Sequence, residues 1–303
     1  MASVFTKLGK DDPRLNRYGK IDARLADLYQ SYTKQDPPPR RVKPLPLPLL
    51  HELYRIARAS GDALSLATAD MAYMAFFYLL RPGEYCKSHD STPFRLCDVE
   101  LRLGTRILDL ATCSDTLLDR AALAELSFTN QKNMIRGEKL AHGRSGHTIA
   151  CPVAALIRRI KHLRAHNAPP TTPLYRVYCP ETIAEVTSEI VTASLRVAAA
   201  LTFPIYGFSP ADVNARALRA GGAMSLLCAR IDTNIIKMVG RWRSDAMFRY
   251  LHLQSYSLMH SLAPCMLQSG SFTLVHNQNL PMSAAAILDS IPEAATAILE
   301  DFF

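Results

Sequence analysis

The apolar pattern changes character several times along the chain, and each change predicts an element. Residues 1–43 are polar and charged, with one stretch, 21–32, at helical spacing. Asp36-Pro37-Pro38-Pro39-Arg40-Arg41 stops any helix, and Lys43-Pro44-Leu45-Pro46-Leu47-Pro48 keeps the chain extended. A helix opens near Pro48. A second, 63–80, is almost continuously apolar, with Asp70 inside it and Arg81-Pro82-Gly83-Glu84 directly after. It approaches the length of a bilayer span, but the internal Asp and the charged exit favour a buried core helix. Alternation then replaces the helical period: 97–103, 106–110 after a turn at Gly104, 123–129 and 147–151 read as strands. Between the last two, Lys132 opens a polar, Gly-containing connection.

Pro152 starts a helix as a first-turn proline, which runs to about His166 with Arg158, Arg159, Lys161 and Arg164 on its polar side, read as a solvated face, with contact to a phosphate backbone as the alternative. A Pro-rich loop, 167–180, and a helix, 181–201, follow. Ser209-Pro210-Ala211-Asp212 has the cap, first-turn proline and acidic third position of a helix start, and that helix runs to about Ala229. Asp232 caps another, which Gly240 ends. Residues 245–263 are expected to be helical, 271–275 can form a strand, and 283–303 read as an apolar helix interrupted by Pro292. The predicted fold is mainly α with a small three-stranded antiparallel β-sheet on one edge, an α+β arrangement.

Composition narrows the class. A formal net charge of +8 over 303 residues points toward polyanions, nucleic acid before acidic membranes. The cysteines are odd in number and form no CxxC pair, so reduced, mostly buried thiols of an intracellular protein are expected, not a disulfide framework or zinc site. The first ten residues lack the apolar core of a secretory signal.

The candidate chemistry is basic. Arg81 closes the apolar helix, Lys132 lies in a strand-to-strand turn, and Arg216 and Arg219, three apart, share a helix face. Gly221-Gly222 follow where a helix normally avoids glycine, which implies close approach to another backbone. Then come Gly240-Arg241-Trp242-Arg243-Ser244-Asp245 and Tyr250. Arg136 and Lys139 are alternatives to Lys132, and Tyr256 to Tyr250. Glu84 is expected to pair with an arginine.

In this order, the sequence resembles the tyrosine recombinase (integrase) superfamily over residues 44–265. Arg81 with Glu84 matches the first box, Lys132 the hairpin lysine, and Arg216-Ala217-Leu218-Arg219 the His-x-x-Arg box. Gly240-Arg241-Trp242 and Tyr250 match the Gly-His/Trp and nucleophile positions. The Leu-Arg-Ala-Gly-Gly-Ala and Gly-Arg-Trp wording is most similar to integrase-like proteins of eukaryotic mobile elements, and disfavours a type IB topoisomerase. The resemblance implies a tyrosine recombinase catalytic-domain architecture over 44–270, preceded at 1–43 by a remnant of an amino-terminal DNA-clamp domain with its linker. A tail helix occupies 271–303.

The implied activity is DNA cleavage and rejoining through a 3′-phosphotyrosine, with Arg81, Lys132, Arg216, Arg219, Trp242 and Tyr250 as site residues. No cofactor or metal is implied. The implied partners are double-stranded DNA and other copies of the chain, as a tetramer on DNA; no membrane is expected. The implied location is with DNA, the nucleus in a eukaryote. Two departures stand out. Arg216 replaces the family's His, and an arginine donates but cannot accept a proton. The clamp domain is nearly absent. The alternative is a DNA-binding protein of mobile-element origin that no longer cleaves.

Overall fold

The computed structural model describes residues 8–9, 12, 14–35, 43–88, 91–129, 137–206, 209–242 and 247. All lie in the first of two compact units, Met1–His252. Lys132, Arg136, Tyr250, Tyr256 and Cys265 lie outside the described residues. So do the linker 36–41, the strand 271–275, the helix 283–303 and, except for Met247, the helix 245–263.

Helix α1 (Ala23–Gln35) is followed, after the linker, by extended Lys43–Pro46 and α2 (Leu47–Ser60). Pro48 sits in the first turn of α2, where a missing amide costs nothing. Gly61, at φ +66°, takes the left-handed position that ends it. Asp62 then caps α3 (Ala63–Phe77), accepting from the Ser65 amide at 2.7 Å. Residues 67–76 of α3 are all buried, the signature of a helix enclosed by others. Asp70 at its centre is met by Arg158, Nε to Oδ1 at 2.7 Å. Burial pushes the Asp70 carboxyl up from its ordinary value, and Arg158 opposes it. No described helix is long and apolar enough to cross a membrane.

After the single turn α4 (Pro82–Tyr85) comes the sheet: β1 (Val99–Leu103), β2 (Arg106–Ile107), then, past a short α5 (Asp115–Asp119), β3 (Leu123–Phe128) and β4 (Glu138–Gly143). It is antiparallel and four-stranded, in the order β2-β1-β3-β4. Ala124, Leu126 and Phe128 fill one face of β3, as alternation predicts. The extra strand, β4, lies in the stretch expected to be a polar connection. It pairs on one side only, so it needs little apolar content, and Lys139 bridges to Glu125 at 2.6 Å across the pair. The strand expected at 147–151 does not form. His147 Nδ1 accepts from the amides of Ile149 and Ala150 at 3.1 and 3.0 Å, and this local bonding replaces a ladder.

Helix α6 (Pro152–Ala165) starts at its proline, but its basic side is not a solvated face. Arg158 holds Asp70, and Arg159, 2% exposed, donates to the carbonyls of Leu174 and Arg176. Lys161 pairs with Asp119 at 2.7 Å, and Arg164 with Asp115 at 3.7 Å. A hairpin follows, β5 (Arg176–Tyr178) in the expected loop and β6 (Ile183–Glu185) in the first residues of the expected helix, so α7 (Ser188–Tyr206) begins later than expected.

The Ser209 start makes only a 3-10 turn, Pro210–Asp212. The chain extends at Val213 before α8 (Ala217–Cys228) and α9 (Thr233–Val239), the latter capped by Asp232. Helix α3 packs against α2, α6, α7 and α8 and forms the centre of the core. The expected close approach at the double glycine is present. A Cβ on Gly221 would lie 2.1 Å from the Leu45 carbonyl oxygen, and one on Gly222 2.1 Å from that of Phe76. Among the six described cysteines, only Cys86 and Cys151 are buried, fewer than expected.

Candidate active site

Two helix ends build the site. Helix α3 closes with Leu79 in the left-handed region at φ +49°, the Leu80 amide donating to Ala75 at 2.9 Å. Helix α9 closes the same way: the amides of Trp242 and Arg241 donate to Lys237 and Met238 at 3.0 and 2.9 Å. The left-handed residue is Arg241, at φ +55°, whereas Gly240 stays right-handed at φ −77°. Gly240 is required for another reason. A Cβ there would lie 1.6 Å from Cζ3 of Trp242, so the glycine makes room for the indole.

A left-handed arginine costs roughly 1–2 kcal/mol. The guanidinium of Arg241 offsets this. It donates from Nη1 to the carbonyls of Tyr78 and Val239 at 3.1 and 3.0 Å. From Nη2 it donates to the Leu79 carbonyl at 3.2 Å and to Glu84 Oε2 at 3.1 Å. It therefore caps the carbonyl ends of α3 and α9 together, where a cation is favoured. It also lies 4.0 Å from the centre of the Phe128 ring. Its side chain is 1% exposed. Burial pushes its pKa down from the ordinary value, and Glu84 pushes back.

Glu84 is the hub. Beyond Arg241, it accepts from the Arg81 amide at 2.7 Å and from Arg81 Nη1 at 2.9 Å. The expected pairing of Glu84 is present, and it is double. Arg81 keeps 28% of its side-chain surface exposed, so donors of its fork remain available to an anion. Across the same turn, Arg219 is 3% exposed. It donates from Nη2 to the Gly240 carbonyl and stacks 4.4 Å from the Trp242 ring centre. Leu79, Ala223, Ile236 and Met247 form the apolar floor, with Trp242 packed against it.

The fold thus brings Arg81, Glu84, Arg219 and Trp242 together through the Gly240–Arg241 turn. It separates Arg216 from Arg219 in exposure. The break at Val213 makes Arg216 the residue before α8, exposed, its amide bonded to Asn214 Oδ1 at 2.9 Å, whereas Arg219 is buried in the helix. Lys132 belongs to the segment joining β3 to β4, outside the described residues. Tyr250, three positions beyond buried Met247, is also outside them. The residue that sequence reasoning missed is Arg241. Nothing local separates it from Arg243 or Arg249, and its partners are brought to it only by the fold.

The exposed part of the Arg81 fork can pair with an oxyanion, whereas the Arg219 fork is buried and engaged by the Gly240 carbonyl. Among the described residues there is no group of three or more His, Cys, Asp or Glu side chains that could hold a metal ion. No protein-family model matches the chain, and no curated protein matches it.

Proposed function

We propose that this chain breaks and rejoins DNA strands through a tyrosine, as the tyrosine recombinases it resembles do. The observation that carries the reading is the joining of Arg81, Arg219 and Trp242 by one turn whose backbone and arginine bond to both arms. In the proposed reaction the Tyr250 hydroxyl gives up its proton to solvent and attacks a backbone phosphorus, and as the P–O bond to the 5′-oxygen breaks that oxygen takes a proton from Lys132. The charge developing on the non-bridging oxygens meets the fork of Arg81 and, once released from its place beneath the indole, that of Arg219. Trp242 can add one indole N–H and nothing else. Arg216 can donate to the phosphate but cannot relay a proton.

One observation favours a second reading, binding of DNA without cleavage. Arg219 is held by the Gly240 carbonyl and covered by Trp242, so its fork is engaged in the free protein.

A nicked suicide duplex separates the two. The enzyme reading expects a covalent protein–DNA adduct on a denaturing gel, absent in Tyr250→Phe and more abundant in Arg216→His. Retention of the duplex without any adduct supports the binding reading and ends the enzymatic one for this chain.

A further inference from the structure

Away from the clamp, a groove of about 500 Å³ opens on the outer side of α2. That volume falls in the range of small-molecule sites. Its walls are aromatic, the exposed His51 and His147 and the half-buried Tyr54, backed by the buried Tyr73. Arg55 and Arg58 stand beside them. His51, Tyr54, Arg55 and Arg58 recur at the spacing of one helix face, opposite Leu49, Leu50, Leu53 and Ala57, which are buried.

We propose that this groove is a nucleotide site, taking an aromatic heterocycle against its rings and a phosphate against its arginines. The walls are preformed. His51 and His147 stack with ring centres 5.2 Å apart and planes 19° from parallel. The amides of Ile149 and Ala150 fix His147 through Nδ1. Tyr73 is wholly buried, donates to the Leu50 carbonyl at 3.3 Å, and lies 6.2 Å from the Tyr54 ring. The Arg158 guanidinium, anchored on Asp70, sits 5.2 Å over Tyr54. Rings held this way lose little freedom on binding, and every base has a face to offer them.

The cations divide in role. Arg55 is engaged by Glu52 at 2.6 Å. Arg58, in the last turn, is exposed and has no ion pair among the described residues, so it is the group for phosphate. A bound metal fits the two histidines poorly. Their lone pairs lie in near-parallel ring planes and do not converge, and that of His147 Nδ1 already accepts two amides. Burial, and then His147, push the pKa of His51 down, which favours a neutral, stacking imidazole.

The nucleotide has two sources, free in solution or part of a single strand, and this site does not depend on the clamp for its reading. Calorimetric titration of the full chain with adenosine 5′-monophosphate, adenosine, ribose 5-phosphate and oligodeoxyadenylate tests it. The expected result is that the mononucleotide binds at least about tenfold tighter than adenosine or ribose 5-phosphate. Tyr54→Ala and the surface change Arg58→Glu each weaken it by about the same factor. Tighter binding of the oligonucleotide assigns the site to a strand; equal binding assigns it to free nucleotide. Ribose 5-phosphate binding as well as the mononucleotide, binding indifferent to Arg58→Glu, or no binding at all each overturns the proposal.

Discussion

Arg241 shows how one side chain can hold distant segments in register. It links carbonyls at the ends of two helices to a carboxylate that also fixes Arg81. A buried cation with this many acceptors is costly to remove, because Glu84 and the carbonyls lose a donor that water cannot replace. Arg241→Ala is expected to lower the unfolding free energy by about 3–5 kcal/mol. Arg241→Lys keeps the charge without the fork and should fall between the two. Denaturant unfolding measures both, and an alanine variant as stable as the wild type would refute the staple. The chain order Arg81, Glu84, Arg219, Trp242 was legible in the sequence because each residue carries a local mark: a helix exit, an acid three places on, a glycine pair, a lone indole. Arg241 was not, because its role is set by carbonyls more than 150 positions away and by its own backbone twist.

At the scale of elements, sequence and structure agree where the signal is local. The cap at Asp232, the first-turn Pro152, the buried run behind Asp62, and the close approach at Gly221 and Gly222 all follow from a few adjacent residues. They part where partners are remote. The arginines of α6 look solvated until Asp70, 88 positions from Arg158, is folded against them. Strand β4 looks like a loop because an edge strand asks little of its side chains.

One such remote tie makes a pH prediction. His162 of α6 accepts the Tyr178 amide of β5 at 2.9 Å, a bond that a protonated ring cannot accept. Burial, then Arg159 and His166, push its pKa down from 6.5 to about 4. Above 6.5 both folded and unfolded chains hold the ring neutral. As the pH falls below that value the unfolded chain binds the proton first. Stability is therefore lost progressively until the pH passes about 4. Urea unfolding across this window should show the decline, and His162→Gln, which keeps an acceptor, should flatten it. An equal decline in the variant would place its cause elsewhere.

For the whole molecule, the formal charge of +8 does not say which cations a polyanion meets. Arg158, Lys161 and Lys139 are paired with Asp70, Asp119 and Glu125, and Arg159 and Arg241 are buried. Among the described residues, Arg106, Arg120 and Arg216 are exposed and outside these pairs, and Arg81 keeps part of its surface exposed. Raising salt from about 50 to about 200 mM is then expected to weaken duplex binding by about tenfold to about a hundredfold, the signature of roughly two to four phosphate contacts. Fluorescence anisotropy across a salt series gives the slope. A flat response would remove backbone neutralisation as the basis of binding.

The sole indole of the chain has an optical consequence. Trp242 rests against Gly240 and over the Arg219 guanidinium, so all tryptophan emission of the protein originates at the clamp. A phosphate that draws Arg219 away changes the charge facing that one chromophore. The protein therefore carries, without any label, a reporter of the arginine on which the proposed chemistry turns.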